Sequence, residues 1–138
     1  PAMILKKTFE NPEKYAERVV LRDISFVSHC EHHLAPINGF VDVAYVPSER
    51  IVGISKIARV VECFAKRLQT QETMTAQIAN CIQDNLMPAG TAVRSRATHA
   101  CMTNRGVCKS GTLLTATTFK GVFLSDLALK HQFLNGQI

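Results

Sequence analysis

The chain has no tryptophan, only two tyrosines, and an aromatic content of 7% across its 138 residues. So few rings, scattered along the sequence, do not build the stacking platform on which single-stranded nucleic acid is held. No apolar run approaches the length of a membrane span, and nothing at the start resembles a secretory leader. Low-complexity segments, internal repeats and linkers are also missing, so the length reads as one domain over 1–138. Five cysteines is an odd number. Without secretion signals, that count argues against a disulfide framework and for a reducing, cytoplasmic setting. Pro1-Ala2 reads as a tag scar ahead of Met3, and residues 1–5 as a tag scar or flexible start.

Hydrophobic residues make up 46% and charged residues 20%, the balance of a globular protein. The net charge of +5 suits an anionic partner. The basic residues are scattered, which favours a small phosphorylated ligand over nucleic acid.

Local patterning gives the element order. "RVVLRDISFV", Arg18 to Val27, reads as a strand, followed by a loop with Pro36 and Asn38-Gly39 marking a turn. "FVDVAYV", Phe40 to Val46, alternates as a second strand. Ile57, Val60, Val61, Phe64 and Leu68 fall at helical spacing, predicting a helix from Ser55 to Leu68. After a join at Thr70, Met74, Ile78, Cys81, Ile82 and Asn85 stripe a second helix, stopped by Pro88-Ala89-Gly90. Cys63 and Cys81 fall on apolar faces and read as core. Extended stretches follow at Thr91–Thr103 and Thr112–Phe123, and a short helix from about Ser125 to Leu134. This α+β order, β-β-α-α-β-β, leaves sheet edges that four strands cannot close, so a homo-oligomer sharing its sheet between subunits is expected.

Chemistry concentrates in "SHCEHHL", Ser28 to Leu34, which holds three of the five histidines. Cys30 and His33 form a C-x-x-H pair whose thiolate and imidazole suit zinc. His99 and Cys101 lie two apart on a predicted strand and so share a face. Among His29, Cys30, His32, His33, His99, Cys101 and Cys108, the preferred ligands are Cys30, His33 and Cys101. His32 and His99 are then left as acid–base groups beside the metal. A closed structural zinc, or a polar loop without metal, is the alternative. Lys56 and Arg59 share a face at the start of the first helix and offer either a phosphate site or a solvated basic face. Glu72 in the first turn of the second helix is either a dipole partner or an acceptor for a guanine edge. Arg105 before Gly106 is either an exposed arginine or a second phosphate clamp.

"CEHHLAP", "VGISKIARVVECFAKRLQTQE" and "THACMTNRGV" together closely resemble the GTP cyclohydrolase I family, from about Lys7 to Phe123, in a form with a short N-terminus. The resemblance implies the tunnelling fold, in which antiparallel sheets form a barrel between subunits of a pentamer or decamer. It implies zinc (Zn2+) on Cys30, His33 and Cys101, and catalytic roles for His32, His99 and Ser55. Gln71 and Glu72 would hold the guanine end of GTP; Lys56, Arg59 and Arg105 would meet the triphosphate, with the pocket between subunits. The implied reaction hydrolyses the purine at C8, releases formate and gives 7,8-dihydroneopterin triphosphate. The alternatives are a shortened paralogue acting on another purine or pterin-like substrate, and a non-catalytic zinc-containing binding protein. One departure stands out: three positions before His99, where this family usually carries a carboxylate, the residue is Arg96. Strand phase points Arg96 away from the His99 face, toward a tunnel wall or subunit contact.

Overall fold

The computed structural model describes residues 3–6, 8–10, 18–31, 34–100 and 112–136. The main strands are β2 (Val19–Cys30), β3 (Pro36–Val46), β6 (Gly90–His99) and β7 (Leu114–Gly121); β1 (Phe9–Glu10), β4 (Arg50–Ile51) and β5 (Leu68–Gln69) are short. The helices are α1 (Ile54–Ala65), α2 (Gln71–Leu86), α3 (Val122–Ser125) and α4 (Leu127–Leu134), with one 3-10 turn at Ile4–Lys6. One five-stranded sheet runs β5-β2-β3-β6-β7, antiparallel except for the β2–β5 pair; β1 and β4 pair separately.

Alternation decides which face is dry. At the end of β2, Phe26, Ser28 and Cys30 turn inward while Ser25, Val27 and His29 face out. Ile37, Val41, Val43 and Tyr45 of β3 join them, with Val93 and Ala97 of β6. Against this face α1 lays Ile57, Val60, Val61 and Phe64, and α2 lays Met74, Ile78, Ile82 and Leu86. Each such side chain contributes about 1.5–3 kcal/mol through its removal from water. Cys81 is buried as expected, whereas Cys63 is only half-buried. The opposite face carries a smaller cluster: Ala44, Ala92 and the rings of Phe123 and Phe133.

Two expectations change. Asn38-Gly39 is not a turn but lies within β3, where Gly39 pairs with Phe26 and Ala97. The chain reverses instead at the histidine cluster, where the Cys30 amide donates to the Ala35 carbonyl (2.9 Å) and the Leu34 amide to the Cys30 carbonyl (2.8 Å). The glycine is required by crowding: a Cβ at position 39 would sit 2.1 Å from the Arg96 carbonyl oxygen. Likewise α1 stops at Ala65, and Leu68, expected to close its stripe, is an exposed residue of β5. Pairing of Leu68 and Gln69 with His29 and Cys30 outcompetes the helical pattern there.

Candidate active site

The sheet register sets one row across three strands: Ser28 pairs with Ile37, and Ile37 with His99. Cys30 follows Ser28 by one pleat, at the same end of the sheet as His99. β5 locks onto this end through the Cys30–Gln69 pair and a hydrogen bond from the Glu31 amide to the Gln69 carbonyl (3.2 Å). The chain then turns directly into α2, whose first residues are Gln71 and Glu72. Thr70 caps that helix, its hydroxyl accepting from the Thr73 amide. Cys30, His99, Gln71 and Glu72 therefore gather at one end of the sheet.

Within this group, His99 Nε2 lies 2.8 Å from Gln71 Oε1. Burial pushes the His99 imidazole below its ordinary pKa, and the nearby Glu72 carboxylate pulls the other way. Glu72 is exposed while Gln71 is buried, so only the former presents its head group to solvent. Cys30 is buried at the mouth of the turn, with 8% of its surface exposed.

Ser55, Lys56 and Arg59 are not part of this gathering. They lie on the first two turns of α1, whose other end leads into β5. At 1.5 Å per residue, Lys56 is about 14 Å along the helix axis from that end. Ser55 and Arg59 are exposed and Lys56 half-buried. His32, His33, Cys101, Arg105 and Cys108 lie outside the described residues. Among the described residues alone, no group of three metal-ligating side chains assembles. No described helix is long and apolar enough to cross a membrane.

Arg96 does face away from His99. Its guanidinium bonds Asp23 at 2.7 Å and approaches Asp42 at 3.5 Å on the opposite side of the sheet. Ser95 and Thr75 were not singled out from sequence, yet both bond into the Gln71 environment. The available signal was a hydroxyl on the inward phase of β6, between Val93 and Ala97.

The GTP cyclohydrolase I family model matches residues 1–137. The chain belongs to the GTP cyclohydrolase I family. It is 54% identical over 135 residues to GTP cyclohydrolase 1 of Hyphomonas neptunium, covering 98% of this chain and 66% of that protein. It is also 54% identical over 134 residues to GTP cyclohydrolase 1 of Maricaulis maris, covering 97% and 65%. The chain thus spans just under two-thirds of the length of these family members. Among solved structures, archaeosine synthase QueF-Like in the apo form matches with a TM-score of 0.60 at 15% identity, covering 78% of this chain and 94% of that one. That likeness is one of fold alone, the α+β tunnelling fold.

Proposed function

We propose that this chain is a zinc-dependent GTP cyclohydrolase I, hydrolysing GTP at C8, releasing formate and yielding 7,8-dihydroneopterin triphosphate. The observation that carries the reading is the convergence of Cys30, His99 and Glu72 on one sheet end in a member of this family. Glu72, exposed at the positive end of α2, accepts the paired N–H groups of a guanine edge. His99, beside it and partly desolvated, moves protons at the purine ring; His32 and Ser55 handle protons on the opened ring and ribose.

The donor set fits zinc by residue type: a buried cysteine at the end of β2 with a histidine three positions on in sequence, and Cys101 two positions past the last residue of β6. Cys30, His33 and Cys101 would hold the ion. When bound, it supplies Lewis acidity beside the purine. Lys56, Arg59 and Arg105 neutralise the triphosphate.

Because Lys56 and Arg59 stand at the far end of α1 from His99, the phosphate clamp for one His99 is drawn from a neighbouring subunit of a homo-oligomer, a pentamer or decamer. The edges of β7 and of most of β2, unpaired among the described residues, supply the strands through which subunits join. Incubating the protein with GTP while following formate and the fluorescent oxidised pterin tests the activity. Formation of neither product by zinc-loaded oligomer overturns it. Full zinc content and full turnover in Cys101→Ala would refute the ligand set.

A further inference from the structure

The Gln71 side chain is 1% exposed, and its described hydrogen bonds are all internal. Its Nε2 donates to the Leu114 carbonyl (2.9 Å) and to Ser95 Oγ (2.9 Å), while Oε1 faces His99 Nε2 at 2.8 Å. A backbone carbonyl can only accept, so the amide nitrogen must be the end that faces Leu114. Oε1 is thereby fixed toward His99, and His99 Nε2 must carry the hydrogen.

The hydroxyl partners close the same logic from the other side. Thr75 Oγ1 donates to the Gln71 backbone carbonyl (2.8 Å), again an obligatory acceptor. Its oxygen is left to accept from Ser95 across 2.7 Å. The Ser95 oxygen in turn accepts from the Gln71 amide. The hydrogen bonds run in one direction around a ring, from the Gln71 side chain through Ser95 and Thr75 back to the Gln71 main chain. Turning Gln71 toward a guanine edge would break three bonds and take the amide donor away from the buried Ser95 oxygen and the Leu114 carbonyl.

We propose that Ser95, Thr75 and the Leu114 carbonyl lock the Gln71 amide, which fixes neutral His99 as its Nε2–H tautomer and sets the orientation of its ring at the site. This rests on His99 being the proton-handling group of the proposed reaction. Gln71 is then a positioning residue, acting on substrate only through His99, and Ser95 supports it.

The direct test is the tautomer itself, read by long-range 1H–15N correlation on histidine-labelled protein well above the ordinary histidine pKa. His99→Gln supplies the assignment. The expected result is the Nε2–H pattern for His99, lost in Gln71→Met and weakened in Ser95→Ala. An Nδ1–H pattern in the unaltered protein, or one unchanged in Gln71→Met, overturns the proposal. In turnover, Gln71→Met should lower kcat about tenfold to a hundredfold with KM for GTP nearly unchanged, and Ser95→Thr should keep the activity that Ser95→Ala loses. A raised KM at unchanged kcat assigns Gln71 to the guanine and also overturns it. If Gln71→Met does not fold, the Ser95→Ala and Ser95→Thr pair decides: weakening of the Nε2–H signal only in the alanine variant upholds the lock, and no change in either sinks it. Absence of GTP turnover in unaltered protein defeats the activity reading alone, and the tautomer measurement still judges the lock.

Discussion

Asp42 Oδ2 accepts a 2.9 Å hydrogen bond from Arg94 Nη2 on the face of the sheet turned away from His99. The Asp42 side chain is fully buried. Around it Arg22 also bonds Oδ2 at 3.3 Å, and the Asp23 amide bonds Oδ1 at 2.9 Å. Each arginine also gives one donor to the last carbonyls of α4, Arg22 to Phe133 (2.9 Å) and Arg94 to Leu134 (2.7 Å). Asp42 therefore neutralises the cations that dock α4 onto the sheet.

Asp42→Asn should cost about 3 kcal/mol, because removing one partner leaves guanidinium groups with their charge uncompensated. Denaturant unfolding would show this as a lower midpoint at unchanged slope. A loss below about 1 kcal/mol would mean that solvent already screens the cluster.

The same carboxylate gives a pH signature. Burial alone would raise its pKa, but the Asp23 amide and the Arg94 and Arg96 guanidinium groups more than offset this and hold it below the ordinary value of 3.8. A depressed folded-state pKa means stability that is fully present above the unfolded value and lost as pH falls through the folded one. The stability gap between the unaltered protein and Asp42→Asn should be constant near neutrality and close below about pH 4. A gap that persists under acid would contradict the assignment.

Arg96→Ala should be mild. Its closer partner, Asp23, is exposed, and such pairs contribute less than about 1 kcal/mol. Since Arg96 faces away from His99, kcat with GTP should not change. A large fall in kcat at intact assembly would show that this face reaches the reacting end after all.

Gly39→Ala should be among the most damaging single changes outside the site. The added methyl would strike the Arg96 carbonyl and the Ala97 side chain, both held by the sheet. A cost of about 3 kcal/mol or more is expected, seen as insoluble or low-melting protein. Ready folding of Gly39→Ala with an unchanged Tm would disprove the crowding.

The proposed sharing of sites between subunits predicts complementation. His99→Gln and Lys56→Ala should each be nearly inactive alone. Co-assembled at equal amounts, they should recover about a quarter of normal turnover, because one interface in four draws both intact residues. No recovery on verified co-assembly would place Lys56 and His99 in a site made by one chain.

Much of this architecture was legible because its signals are periodic. The stripe Met74, Ile78, Ile82 located α2, and the alternation from Phe40 to Val46 located the core of β3. Asn38-Gly39 misled because its turn chemistry is local, whereas the reason for that glycine is a carbonyl on β6 reached only through pairing. Leu68 misled in the same way, its helical phase overridden by a strand partner thirty-nine positions earlier. At the site, reactive residue types flagged Cys30 and His99. Ser95 and Thr75 carry no such mark, being common hydroxyls whose importance lies in whom they touch.

The Gln71 amide has one further consequence. It holds His99, the last residue of β6, and Leu114, the first of β7. One side chain thus staples both ends of the excursion through residues 100–113, which carries Cys101 and Arg105. Losing the staple frees both of its doorposts at once. The opening between the end of β6 and the start of β7 is thereby set from α2.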